Sequence, residues 1–289
     1  MKRKEFLKIS GGLALAGLAS KSSFGLLAES EEAKKLKAFG LQLYTLRSDF
    51  PKDPKGVLKQ VAGFGYKQVE SFEGPKGMFW GMTNKEFKAY LDELGMTIVS
   101  SHCDISKDFE RKAAEAAEIG MKYLICPYKG PQKDIDAFKK FADEFNQKGE
   151  ICKKNGIRFA YHNHDYSFVP FNGEMGQDVM MKNTDPALVD FELDMYWVVT
   201  GGHDIETWLK KYPNRFRLCH VKDRKKDAKP TDKDASCDVG TGSIDYAKIL
   251  KTARKNGMQY YIVEQERYDG TTPLKAAEAC AAYMKKLSI

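Results

Sequence analysis

Two histidines, His162 and His164, stand one residue apart in YHNHD (161–165), directly after the apolar run IRFA. Positions i and i+2 of an extended chain point the same way, so both imidazoles address one place. The chain has five histidines; the others are His102 in SSHCD, His203, and His220 in HVKD. His102 and His220, like the YHNHD pair, close short apolar runs, and His203 follows soon after another. Three acids occupy the same kind of position: Glu70 in QVES, Asp194 in FELD and Glu264 in IVEQE. Several carboxylates buried together are costly unless a cation or strong donors compensate them. One divalent ion (Mn, Zn, Co or Mg) held by Asp, His and Glu accounts for the set. An ion chelated by a carbonyl and a neighbouring hydroxyl would acidify the adjacent C–H and stabilise the resulting enediolate. Glu264, His164, His102 and Glu70 are the candidate acid/base groups, and Lys222, two residues after His220, is the candidate oxyanion partner. Tyr44, Tyr166 and Trp197 are candidate substrate-binding ring faces, as are Phe72, Trp80 and Tyr128.

These residues need elements that bring them to one point. From about residue 38 the chain alternates short apolar runs with amphipathic stretches of helical period. Strands are predicted at FGLQLY, YKQVES, MTIVSSH, KYLICPY, IRFAYH, ALVDFEL, FRLCHV and YYIVEQ, each followed by a helical pattern. Gly65, Gly95, Gly120, Gly156 and Gly257 fall where left-handed helix C-caps are expected. Eight strand–helix units in about 250 residues is the arithmetic of a single (β/α)8 TIM barrel; a doubly wound open sheet is the alternative. In a barrel, function gathers at the carboxyl ends of the strands, where these histidines and acids lie. The long charged segment 223–242 reads as a lid over the site. Within it VGTGS reads either as an anion site at a helix start or as a turn with Ser243 as N-cap.

The stretches LQLYTLR, SSHCD, YHNHD, FELDMYWV, HVKD, VGTGSIDY and IVEQE, in this order and spacing, resemble the sugar phosphate isomerase/epimerase family of the xylose isomerase-like TIM barrel superfamily. That superfamily includes inosose dehydratase, ketose 3-epimerases and endonuclease IV. The resemblance implies one divalent metal bound from the fifth to eighth strands, with Asp194, His220 and Glu264 at three ligand positions. The fourth position, a glutamate in the ketose epimerases, falls on His162 here; that glutamate also serves those enzymes as an acid/base group. Related sequences read YHNHDFEF where this chain has YHNHDYSF, with Ser167 in place of the glutamate. The implied activity is proton abstraction next to the carbonyl of a sugar or keto-sugar, as in isomerases and epimerases. Lyases that split 3-keto-glycosides by β-elimination are the alternative, and a non-catalytic sugar-binding barrel is a further one.

Address and composition narrow the classes. MKRKEFLKIS followed by GGLALAGLA has the basic and apolar regions of an export signal over 1–28, with KRKEFLK similar to the twin-arginine pattern. Residues 29–36 read as a linker, 37–289 as the catalytic barrel, and the destination as the periplasm. Residues 1–28 hold five basic residues and one acid, hence +4 of the formal +7. The remaining excess is spread over helical faces, which excludes a nucleic-acid footprint. Endonuclease-type hydrolysis needs further histidine ligands, and none occurs after His220. No apolar run in the mature part reaches the roughly 20 residues that span a bilayer. The six cysteines lack CxxC spacing and read chiefly as small buried hydrophobes, with pairing open to some of them after export. The partner is a small carbohydrate, and a homo-oligomer is compatible with the sequence.

Overall fold

The structure, a computed structural model, describes residues 35–289; the expected export signal over 1–28 and nearly all of the expected linker lie outside the described residues. Eight strands, β1 (Gly40–Gln42), β2 (Gln68–Phe72), β3 (Thr97–His102), β4 (Tyr123–Cys126), β5 (Arg158–His162), β6 (Val189–Asp194), β7 (Phe216–Val221) and β8 (Tyr260–Val263), pair in parallel and in order. β1 pairs with both β2 and β8, which closes the barrel. All eight predicted strand segments are present. The open-sheet alternative fails because neither end strand is left unpaired.

Helices α1 (Pro54–Phe64), α2 (Asn84–Glu93), α3 (Phe109–Glu118), α4 (Asp136–Lys154), α5 (Gly176–Asn183), α6 (Met195–Thr200), α7 (Ile205–Lys211), α8 (Tyr246–Lys255) and α9 (Pro273–Lys286) form the outer layer. Their ends are written locally. Asp53 caps α1 through Gly56 N at 2.9 Å, with Pro54 at the first helical position. Thr83 and Glu86 form a reciprocal capping box on α2. The five glycines expected to end helices all have φ between +66° and +101°, the region where a Cβ is penalised. The helix α6 has no counterpart in the sequence reading; it starts directly after Asp194, the last residue of β6, which caps it.

The barrel interior is packed at its lower end by Val99, Tyr123, Ile125, Ala160 and Leu218. A larger apolar core fills the space between barrel and helices. Above the lower plug the interior changes character: Gln42, Glu70, Ser100, Glu192 and His220 are all fully buried. The cysteines are all free, five buried and Cys237 half-buried.

The segment 223–242 differs from its expected role. It folds into a short hairpin, Asp223–Arg224 against Ser236–Cys237. The Arg224 guanidinium braces it, donating to the backbone carbonyls of Asp232 at 2.7 Å and Lys229 at 2.6 Å. It contributes nothing to the lining of the main cavity, so it is a brace beside α6, not a lid. The VGTGS turn holds an anion that the chain itself provides. Asp223 accepts from the backbone N–H of Gly240 and Gly242 at 2.9 Å each, of Arg224 at 2.8 Å and of Ile244 at 3.2 Å. The N-cap of α8 is Asp245, not Ser243. A Cβ on Gly242 would lie 2.2 Å from Asp223 Oδ1 and 2.3 Å from the Arg224 carbonyl oxygen. Gly242→Ala is therefore expected to destabilise the protein by about 2 kcal/mol or more, since a buried carboxylate would lose its donors. A shift in denaturant midpoint measures it, and an unchanged midpoint would contradict the tight nest.

Candidate metal centre and active-site cavity

Strand alternation puts Glu192 and Asp194 on one face of β6, and His220 faces the same interior from β7, with Asp194 and His220 in register. Irregularities in pairing occur at Val69/Glu70 and at Phe191/Glu192, next to the two buried glutamates. Bulges of this kind re-aim a side chain, and here they turn two acids inward near the barrel mouth. His162 ends β5, and Glu264 directly follows β8.

Four of the sequence candidates converge. His162 Nε2 lies 3.3 Å from Asp194 Oδ2 and 3.1 Å from His220 Nδ1. His220 Nδ1 lies 3.5 Å from Asp194 Oδ2 and 3.2 Å from Glu264 Oε2. All four ligand atoms fall within 4.8 Å of one another, and all four side chains are buried. The outer nitrogens fix the tautomers. His162 Nδ1 is 3.2 Å from the Pro127 carbonyl oxygen, which can only accept, so Nδ1 carries the hydrogen. His220 Nε2 is 2.8 Å from Glu70 Oε1 and donates to it. Both inner nitrogens lie 3.1 Å apart and face two carboxylates. Two imidazoles and two carboxylates converging in this way are the donor set a divalent ion requires. Asp194 divides its oxygens: Oδ2 faces the cage while Oδ1 accepts from Trp197 N at 3.0 Å, capping α6. Burial opposes charge on Asp194 and Glu264, but Lys222 and the histidines hold both carboxyls well below the usual carboxylate range.

Beneath the cage lies a second ring sharing His220: Glu70, His102 and Glu192. His102 Nε2 lies 2.8 Å from Glu192 Oε2 and 3.2 Å from Glu70 Oε1. Here protons suffice. Burial opposes a charge on His102, but Glu70 and Glu192 outweigh it and push its pKa up to about 9. Glu192, buried and beside Glu70, is raised to about 7. Glu70 is fully engaged, accepting also from Gln42 Nε2 at 2.7 Å and Ser100 Oγ at 2.5 Å. It does not line the cavity, so it corrects from acid/base candidate to the carboxylate that orients His220. Glu70→Gln is expected to weaken metal affinity about 10- to 100-fold, read by competition with a chromogenic chelator. Unchanged affinity would deny Glu70 that role.

A cavity of about 390 Å³ opens above the cage. His102, His162, His164, Glu264, Tyr44 and Trp197 line it, as the sequence indicated, together with Phe72 and Tyr128. His164 Nδ1 is buried and finds no hydrogen-bond partner among the described residues. Burial, then the neighbouring His162, keeps this imidazole neutral, its pKa well below the usual value. Its ring stacks on Tyr166 at 5.6 Å and 7°.

Three expectations are corrected. Tyr166 does not line the cavity; its hydroxyl accepts from Lys129 N at 2.9 Å and its ring buttresses His164. Trp80 is buried behind Phe72, donating through Nε1 to the Phe72 carbonyl at 3.1 Å. Lys222 also lies off the cavity wall, bound to Glu266 and 3.3 Å from Glu264 Oε2, with its ammonium 5.0 Å and 5.1 Å from the Tyr196 and Trp197 ring centres. It holds Glu264 instead of facing an oxyanion. His203 stays outside the cluster, against Phe168 and Trp208. The sequence reading missed Glu192, Glu73 and Glu266. For Glu192 the signal was present: it sits two residues before Asp194 in a buried strand, hence on the same face.

Comparison with known proteins agrees with this geometry. A family model described as "Xylose isomerase-like TIM barrel" matches residues 58–287. An inosose dehydratase of Clostridium perfringens is 30% identical over 165 residues, which are 52% of this chain and 55% of that protein. The match thus spans about half the length of that curated relative. The crystal structure of a sugar phosphate isomerase/epimerase from Parabacteroides distasonis is 30% identical, covers 89% of this chain and 98% of its own, and superposes with a TM-score of 0.74. The IOLI protein, solved with a zinc atom, shares the fold at 14% identity, with a TM-score of 0.69 over 85% of this chain and 95% of its own.

Proposed function

Because the chain belongs to the xylose isomerase-like TIM barrel family, we propose that it is a divalent-metal enzyme removing a proton next to the carbonyl of a sugar or cyclitol ketone. The observation that carries this reading is the cage of two imidazoles and two carboxylates opening onto an aromatic-walled cavity. His162, Asp194, His220 and Glu264 would hold the ion; the zinc of the IOLI protein shows that the fold accommodates one. When bound, the ion supplies Lewis-acid polarisation of the ketone and so acidifies the neighbouring C–H.

The chain's own groups handle the protons. His164 lines the cavity with a neutral imidazole and accepts the proton from carbon. His102, on the same cavity wall and backed by Glu70 and Glu192, donates one. Trp197 and Tyr128 flank His164 at 5.1 Å and 5.0 Å between ring centres, so the ketone lies against them.

Elimination is the outcome the residues favour. The fifth-strand position that carries an acid/base glutamate in ketose epimerases is His162, whose Nδ1 is tied to Pro127 and whose Nε2 faces the cage. The second face therefore lacks a carboxylate, while elimination needs only a base and a donor to the leaving oxygen. In that step the C–H pair becomes the C=C bond, the β C–O bond breaks, and the oxygen leaves with a proton as water or as an alcohol. The dehydratase name of the Clostridium relative points the same way, and loss of an aglycone from a 3-keto-glycoside is the same chemistry. The test is NMR of zinc- or manganese-loaded protein in D2O with inososes, ketoses and 3-keto-glycosides. An unsaturated product or released alcohol is expected. Isomers bearing deuterium would assign isomerisation or epimerisation instead, and binding without any exchange would make the barrel a sugar binder.

A further inference from the structure

We propose that the cavity takes an uncharged sugar or cyclitol ketone and discriminates against phosphorylated ones; this rests on the site assignment above. It departs from the sugar phosphate label that the Parabacteroides structure carries. Phosphate recognition needs unspent cations or unspent backbone N–H groups. In (β/α)8 barrels the usual place is the loops after the seventh and eighth strands. That place is filled here. All four inward N–H groups of the turn after β7, those of Arg224, Gly240, Gly242 and Ile244, donate to Asp223. Asp223 is fully buried. The start of α8 is likewise closed by Asp245, which accepts from Lys248 N at 3.2 Å. A phosphate arriving at this turn would meet a fixed carboxylate in the position it would itself require.

Two of the cations around the mouth are paired with carboxylates, and a third is held by neutral acceptors. Lys222 is shared by Glu264 and Glu266. Lys112 lies 2.7 Å from Glu73 Oε2 and donates to the Asp104 carbonyl at 2.7 Å. Arg47 donates to the Tyr268 hydroxyl at 2.9 Å and to the backbone carbonyls of Tyr44 at 3.2 Å and Glu266 at 3.1 Å. Among the described residues lining the cavity there are four carboxylates, those of Glu73, Asp104, Glu264 and Glu266, and neither Lys nor Arg. Lys112 and Lys222 are engaged by Glu73, Glu264 and Glu266, and no lysine or arginine on the cavity wall is left to meet a phosphate dianion. What the wall offers instead is ring surface. Tyr44 and Tyr128 are 38% and 55% exposed, unusual for their size, and with Phe72 and Trp197 they suit the C–H faces of a neutral ring or an apolar substituent.

The test uses the full, zinc-loaded chain and calorimetric titration with matched pairs: D-fructose against D-fructose 6-phosphate, and an inosose against its monophosphate. The uncharged member of each pair is expected to bind at least tenfold tighter, and 10 mM inorganic phosphate is expected to leave its affinity unchanged. Trp197→Ala should weaken the uncharged member about three- to tenfold. Glu73→Gln, which releases Lys112, should narrow the gap within each pair. Equal or tighter binding of the phosphorylated members, or competition by inorganic phosphate, would overturn the proposal. Failure of the chemistry is separable: discrimination between pair members with no deuterium exchange would retire the proposed reaction and leave the substrate class standing.

Discussion

Asp194→Asn is expected to abolish turnover and to lower metal affinity by about 100- to 1,000-fold. Structural four-ligand zinc sites bind with about 10–16 kcal/mol, so one ligand carries on the order of 3 kcal/mol, more than 100-fold in affinity. Asparagine preserves the second function of Asp194, because its side-chain oxygen can still accept from Trp197 N and cap α6. The loss is therefore electrostatic and confined to the cage. His220→Ala should reach the same affinity loss by a different route, removing a nitrogen ligand and leaving Glu70 without the donor at 2.8 Å. It should also lower stability, and by more than Asp194→Asn, which costs the metal-free protein only the carboxylate charge beside Lys222 and the histidines. Metal titration with denaturant unfolding separates the two. Wild-type affinity in either variant would remove that residue from the cage.

The second large effect belongs to Lys222. Its ammonium is 1% exposed and compensates Glu264 and Glu266 at once. Lys222→Met keeps the length and the contact with Tyr196 and Trp197 but strands two carboxylates. Removing one partner of a buried pair costs about 3–5 kcal/mol, discounted here because Glu266 is partly exposed. The metal-free variant is expected to lose about 3 kcal/mol of stability. Metal should restore much of this, since the ion then neutralises Glu264. Unfolding with and without chelator measures it; an equal loss in both states would show that Lys222 acts through packing alone.

The barrel was legible because its signal is redundant. Each strand is a short buried run, each helix is amphipathic, and glycines such as Gly65 and Gly257 mark the boundaries with a conformation few other residues tolerate. The cage was legible for a related reason. His162, Asp194, His220 and Glu264 close their strands, and closure at the carboxyl end fixes where a side chain points. What the sequence hid depends on three-dimensional neighbours. Glu70 reads like a free strand-end acid, and only its contacts with Gln42, Ser100, His102 and His220 show that its oxygens are spent. Tyr166 and Lys222 look like mouth residues, yet each is turned aside by a partner remote in sequence, Lys129 for one and Glu266 for the other. The VGTGS turn has the composition of an anion site and is one, but the anion is Asp223, which composition does not reveal. The helix α6 escaped because its cap, Asp194, is also the end of a strand.

The account rests on a single divalent ion among His162 Nε2, Asp194 Oδ2, His220 Nδ1 and Glu264 Oε2. An anomalous difference map from crystals grown with zinc tests it most directly. One peak is predicted, about 2.0–2.3 Å from each of those four atoms. A peak in the lower ring of Glu70, His102 and Glu192, or none in the barrel, would contradict it.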